Sequence, residues 1–451
     1  MSEFPFQLVV KRTYPENNTE SLMCIDLLRI VPGRRSVYDA LLNQRSVIAK
    51  VFSHRLSAKR HLRREWRGLR NLASRKINMP NPLFYGQTED GQWVVVVEKI
   101  AESVTALDLF DKLKNSTEKL ELLILVAREM AKQHMKGVLQ KDLHLGNFLI
   151  RDDTVFTLDA GQMQFLHGQI GRKKSVAQLA MLAAWLPGRQ NEATATLCKE
   201  YFKVRDWRFG ESEEILFHNR LALYLKRAIN KGLRKSLRTS KRHLKIQNKK
   251  NVAVFDRSLC LKMATSDFID KIDVLMDTGE ILKNGNTCYV SRLIWNDREI
   301  VIKRYNHKSS IHSLRQTIRR SRARRCWLHG HRLGMLNIST PKPLAYIENR
   351  RGFLIWKSYF ITEYVKGLKL YHFLRDNSIS EKQRSCVMKQ MNHILDEMEK
   401  GRITHGDLKH TNILITNNGP VLTDLDAMRV HKYSCSYRIR RAKDLERIKW
   451  E

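Results

Sequence analysis

Two kinds of apolar periodicity run through the chain, and they come in the same order twice. Val47–Phe52 (VIAKVF) and Ile300–Tyr305 (IVIKRY) are short runs rich in β-branched residues, and each reads as a strand with one lysine on a single face. VVVVEK (94–99) and FITEYV (360–365) read as strands as well. Between lysine and second strand lie segments of helical composition, Ser57–Ser74 and Ser313–Leu336; after it, Thr117–Met135 and Lys382–Lys400 are predicted helices. Each copy is therefore expected to be a strand-rich lobe followed by a helical one.

Fixed spacings support the repeat. Arg-Glu-Trp at 64–66 and Arg-Cys-Trp at 325–327 each place a tryptophan 14 residues before a P-x-P, at Pro80/Pro82 and Pro341/Pro343. Further on, DLHLGN (142–147) matches DLKHTN (407–412), and an aspartate, Asp159 or Asp424, follows 12 residues after each asparagine. Trp66 and Trp327 are most simply core residues, since an aromatic side chain buries a large area without needing a ligand.

At 451 residues, 42% of them hydrophobic and eight of them tryptophan, the chain is long and apolar enough for two or three folded domains. The 82 Lys+Arg against 46 Asp+Glu leave +36, a field that attracts anions such as phosphates, nucleic acid or acidic lipid. Seven scattered cysteines with no C-x-x-C pair argue against a disulfide framework or zinc module and for a reducing cytosol. The N-terminal residues show no export leader and no apolar run spans a bilayer, so a cytoplasmic protein is expected.

Asn219–Lys250 carries twelve Lys/Arg and no acid at broadly helical spacing, and reads as a basic helix ending the first copy. The expected division is a first domain at 1–250, a linker at 251–270 and a second domain at 271–451. A second acid-free run, Ile300–Ile347, includes IRRSRARR at 318–325. Both runs read equally well as solvated helix faces or as sites for an anionic surface.

Phosphoryl transfer asks the protein for a cation on the nucleotide phosphates, oxygen ligands for Mg²⁺ and a carboxylate to orient the acceptor hydroxyl. In the first copy Lys50 would meet the phosphates and Glu65 would hold that lysine; Asp142 would accept the hydroxyl proton, while Asn147 and Asp159 would bind metal. In the second, Lys303, Asp407, Asn412 and Asp424 repeat the spacings of five and twelve residues. Asp426 is a rival to Asp424, being one strand period away on the same face; the matched spacing favours Asp424.

Two departures separate the copies. Cys326 stands where Glu65 stands, with no acid from Ile300 to Ile347, so Lys303 is expected to lack a local carboxylate and the second copy to be the weaker catalyst. The first copy has Gln140-Lys141-Asp142 where the second keeps His405-Gly406-Asp407, a tolerable loss if that histidine is a structural brace. Gly33 and Gly285 are the glycines available to phosphate-covering loops. His144, two residues past Asp142, is read either as a cation steadying the transferred phosphate or as a loop residue packing locally.

Together these residues resemble a tandem of two protein-kinase-like domains of the lipopolysaccharide kinase class, which includes the core heptose kinases and Kdo kinases. The motifs are VIAK, REWRGL, DLHLGN and LDA in the first copy, and IVIKRY, WLHGHRL, TPKPLA, HGDLKHTNIL and TDLDAMR in the second; the resemblance covers roughly 20–205 and 275–445. It implies an α+β fold, each domain having a β-rich N-lobe and a helical C-lobe. The second C-lobe is expected to be truncated, with 27 residues beyond Asp424. It also implies ATP and Mg²⁺ as cofactors. The implied acceptor is a sugar hydroxyl of the anionic lipopolysaccharide core glycolipid, reached at the acidic inner face of the inner membrane. Three other readings stay open: a paired pseudokinase or scaffold, a kinase for protein hydroxyls, and a nucleic-acid binder, the last resting on charge alone.

Overall fold

A computed structural model describes residues 4–53, 57–186, 191–260, 265–306, 317 and 320–448. The chain is mixed α+β and divides into two compact units, Met1–Leu225 and Lys226–Glu451.

In the first unit six strands, Phe6–Tyr14, Thr19–Val31, Arg35–Leu42, Arg45–Phe52, Pro82–Thr88 and Trp93–Glu98, close into a barrel. Closure comes from Phe6–Tyr14, which pairs antiparallel with Thr19–Val31 on one side and Pro82–Thr88 on the other. Strand alternation then sorts the side chains of Arg45–Phe52. Val47, Ala49 and Val51 enter the barrel interior. Ile48 and Phe52 take the opposite face, beneath the Ala58–Ser74 helix, which puts Lys50 on that face too. The helical part packs Ser116–Met135, Arg172–Ala183 and Asn191–Val204 around Leu123, Val126, Met130, Leu179 and Tyr201.

The second unit solves the same burial problem without closing. Its seven strands lie in the order His243–Gln247, Asn251–Asp256, Pro343–Arg351, Leu354–Glu363, Arg298–Tyr305, Cys288–Trp295, Glu280–Gly285. One face is covered by the Thr265–Asp277 helix, whose Phe268, Ile269, Ile272 and Met276 pack on Phe255, Ile300 and Ile302. Val301, Lys303 and Tyr305, one residue out of step, belong to the other face. Below the sheet are the Arg322–Met335 helix, Glu381–Lys400 and, among the described residues after Asp424, a short turn, a two-residue strand and the Ser434–Arg447 helix.

The helices expected at Ser57–Ser74, Thr117–Met135 and Lys382–Lys400 are present as Ala58–Ser74, Ser116–Met135 and Glu381–Lys400. Of Ser313–Leu336 the structure places Arg322–Met335 in a helix; residues 313–316, 318 and 319 lie outside the described residues. Trp327 is fully buried, its indole N–H donating to the Ser236 carbonyl at 3.1 Å.

Two expectations about the middle of the chain are corrected. The basic helix does not run to Lys250; it spans Glu211–Lys235, and His243–Gln247 is a strand. Nor is 251–270 a linker: every residue of Asn251–Asp256 is buried in the sheet, and Thr265–Asp277 is the helix that covers it. Residues 261–264 lie outside the described residues. The apolar run Val252–Phe255 satisfies both faces of a buried strand, so the lysines ahead of it mark its start and not a solvated tether.

Candidate phosphotransfer site

In the first unit Lys50 and Glu65 form an ion pair at 2.5 Å, with the lysine 12% and the glutamate 5% exposed at the side chain. The second oxygen of Glu65 accepts the backbone N–H of Gly161 at 3.0 Å. Glu65 therefore joins strand, helix and the turn after Asp159 in one contact. Asp159 itself has φ 54° and sits 3.5 Å from both Lys50 and Arg35. Burial acts to raise its carboxyl, yet Lys50, Arg35 and Arg29 hold it below the ordinary range. Burial likewise acts to lower Lys50, and Glu65 and Asp159 reverse that, keeping the ammonium charged.

The loop carrying Asp142 is folded by its own backbone. Asn147 donates its amide N–H to the Asp142 carbonyl at 2.9 Å, and its own carbonyl accepts the Leu158 N–H at 2.8 Å. The second unit repeats this: Asn412 donates to the Asp407 carbonyl at 2.8 Å, and its carbonyl accepts Thr423 N–H at 2.9 Å. In both, a carbonyl acceptor fixes which end of the amide carries nitrogen, and the amide oxygen is left to a cation. Asp424, like Asp159, adopts φ 54°. Hard-oxygen pairs of this kind fit Mg²⁺, which completes its shell with phosphate oxygens and water. Among the described residues no group of three or more His, Cys, Asp or Glu could hold a metal alone.

Asp407 is contacted by Asn412 at 3.0 Å, Lys409 at 3.1 Å and Arg447 at 3.6 Å. Burial acts to raise its carboxyl, but these donors hold it below the usual value, ionised and able to accept a hydroxyl proton's hydrogen bond. His405 is the expected brace: it is fully buried, and its ring Nε2 meets the Thr423 carbonyl at 2.9 Å, tying the Asp407 loop to the strand before Asp424. In the first unit buried Gln140 takes this position and donates to Gln133 at 3.1 Å.

Lys303 does not lack a carboxylate, contrary to expectation. Asp424 lies 2.7 Å and Asp426 2.9 Å from its ammonium. Asp426 also accepts from Arg322 at 2.6 Å, from the Cys326 thiol at 3.0 Å and from the Tyr305 hydroxyl. Burial opposes its ionisation, but Lys303 and Arg322 prevail and hold its carboxyl far below the ordinary range. Scanning for an acid near Cys326 in sequence could not find a partner 100 residues away.

The other candidates are placed as follows. Gly33 is exposed in the turn between Val31 and Arg35, with φ 67°. Gly285 ends the Glu280–Gly285 strand, paired with Cys288. His144 caps the Leu145–Asn147 turn, accepting the Gly146 N–H at 3.0 Å, and its ring packs on Trp185; the local-packing reading describes these contacts. The functional lining that single residues did not reveal is a cleft of about 330 Å³ in the second unit. Val290, Val301, Phe360 and Leu414 give it apolar walls, Glu363–Val365 one edge, and Lys303, Asp424 and Asp426 its polar end. A slot with apolar walls and a charged end has the shape and polarity of a site for a flat ring carrying an anionic group.

Residues 276–450 match the model of the lipopolysaccharide kinase (Kdo/WaaP) family. The match lies within the second unit, and the resemblance read over roughly 20–205 has no counterpart in it. No curated protein matches the chain.

Proposed function

We propose, with the family of residues 276–450 as premise, that the chain is an ATP-dependent phosphotransferase acting on a heptose or Kdo hydroxyl of the lipopolysaccharide inner core. The second unit is the transfer site. The observation that supports it is the unbroken chain of contacts from Lys303 to Asp424, Thr423, Asn412 and Asp407 at the polar end of an apolar cleft. In this reading Lys303 steadies the nucleotide phosphates and Asp407 orients the acceptor hydroxyl. Asn412 and Asp424 would hold Mg²⁺, which supplies charge neutralisation on the transferred phosphate. The acceptor is anionic and the chain carries +36, so attraction to the glycolipid and to acidic lipid at the inner face of the inner membrane follows. Among the described residues no helix is long and apolar enough to cross a membrane.

The first unit is built on the same plan, a tandem arrangement of two kinase-like domains. The family match of residues 276–450 lies outside it, and a nucleotide-holding pseudokinase role is the second reading for it. The test is mass spectrometry of core oligosaccharide from cells whose only copy is wild type, Asp142→Asn or Asp407→Asn. Loss of a core phosphate in Asp407→Asn alone supports the assignment. Loss in both gives the first unit a catalytic role, and unchanged phosphate in Asp407→Asn rejects the second unit as the transfer site.

A further inference from the structure

The two units hold their lysines with carboxylates from different places, and the exchange is reciprocal. In register with Asp159-Ala160-Gly161 the second unit has Asp424-Leu425-Asp426, and in register with Glu65 it has Cys326. A Cβ built on Gly161 would stand 2.7 Å from the Glu65 carboxylate oxygen, so a side chain there would push that carboxylate from its place between Lys50 and the Gly161 N–H. In the second unit the helix position has shrunk to a thiol, and the freed space is filled by a carboxylate that reaches Lys303 at 2.9 Å.

We infer that Asp426 is the positioning residue for Lys303, replacing a helix glutamate and making the second unit a complete nucleotide site. The inference rests on the second unit being the phosphotransfer site. It assigns Asp424 and Asp426 separate tasks: Asp424, more exposed (38% against 13% at the side chain), turns to metal when nucleotide enters. Asp426 stays on Lys303, anchored from behind by Arg322, Tyr305 and Cys326. Without that second carboxylate, metal binding by Asp424 would leave the ammonium with no fixed partner, as Lys50 would be without Glu65.

The experiment is MgATP titration of the full chain in a Lys50→Ala background, which removes the first unit's phosphate lysine. Asp426→Asn, isosteric and so the variant most able to fold, and Asp426→Gly should each weaken MgATP binding about tenfold, the scale of one lost charge-assisted contact. Cys326→Glu alone should also weaken it, because two carboxylates then crowd one lysine. The double variant Cys326→Glu/Asp426→Gly, which transplants the first unit's arrangement, should restore affinity to within about threefold, an interaction only coupled positions show. Unchanged affinity in Asp426→Asn, or no restoration in a double variant with a cooperative melt, overturns the role of Asp426. No MgATP binding by the Lys50→Ala chain itself would reject nucleotide binding by the second unit, and the inference with it.

Discussion

Gly406 donates its backbone N–H to both carboxylate oxygens of Asp444, at 2.9 and 3.1 Å, while the adjacent His405 N–H reaches the same carboxylate at 2.7 Å. One buried acid on the Ser434–Arg447 helix thus fastens the loop that carries Asp407. The loop's path demands it: Gly406 has φ 81°, and a Cβ there would meet the Ala427 carbonyl at 2.5 Å.

Asp444→Ala should leave two N–H groups without their acceptor in the interior, costing about 2–4 kcal/mol. Core phosphate should fall more than stability predicts, since a shift of about 1 Å in a reacting group can cost about a hundredfold in rate. Denaturant midpoints and core phosphate content, measured on the same variant, check both. Full phosphorylation by a stably folded Asp444→Ala protein would show that the loop holds its shape unaided.

Gly68 lies in the middle of the Ala58–Ser74 helix, where alanine is ordinarily the better residue by up to about 1 kcal/mol. Here the sign should reverse. A Cβ at this position would come within 2.4 Å of the Ala160 carbonyl oxygen, so the helix must move away from the turn that follows Asp159. Gly68→Ala is expected to lower stability by about 1–3 kcal/mol, the range of overpacked interiors. A melting temperature equal to or above wild type would show that the turn gives way instead.

Acid sensitivity should begin well above the carboxylate range. Burial lowers His331 to about 3, with His243 and Arg242 adding to the effect and Asp256 opposing it. Its imidazole packs against the Trp327 ring at 4.3 Å and stays neutral. The unfolded chain takes up this proton near pH 6.5 and the folded one does not until about 3. Stability is therefore fully present above 6.5 and lost as pH falls, by about 1.4 kcal/mol per pH unit. His331→Phe should make the fall in melting temperature between pH 6.5 and 4 shallower by the share of one proton, leaving the shares of His134 and His329, which burial lowers to about 4. An unchanged slope would mean the histidine is protonated in the fold.

Much of this architecture is legible in the sequence, because alternation and helical spacing survive any one substitution. Lys50 and Lys303 fall on strands as read, and the Asp-to-Asn step of five residues forms the same amide-to-carbonyl contact in both units. Two things were not legible for physical reasons. The stretch VAVF (252–255) is a strand-length apolar run, but twelve cations ahead of it mimic a solvated tether, and burial depends on partners 90 residues distant. Asp426 was missed as the partner of Lys303 because matching positions assumes that a charge keeps its place in the chain. Space requires only that a carboxylate reach the lysine, from whichever neighbouring backbone leaves room.

Membrane attraction should depend on one face of the first unit. Lys59, Arg60, Arg63, Arg67 and Arg70 are exposed along the Ala58–Ser74 helix, around an open depression of about 800 Å³ floored by Trp66 and Tyr85. Arg64 is engaged, donating to the Gly161 carbonyl at 2.7 Å, and is best left unchanged. A lysine or arginine near an acidic bilayer contributes about 1 kcal/mol. Arg60→Glu/Arg63→Glu/Arg67→Glu should therefore reduce co-sedimentation with phosphatidylglycerol vesicles by at least about two orders of magnitude in affinity. Binding to phosphatidylcholine vesicles should be weak throughout. Raising salt to about 0.5 M should erase the difference, because the screening length then falls to a few ångströms. Equal sedimentation of the triple variant would move the lipid-facing surface elsewhere, with the basic residues of Asn219–Lys250 the next to be reversed.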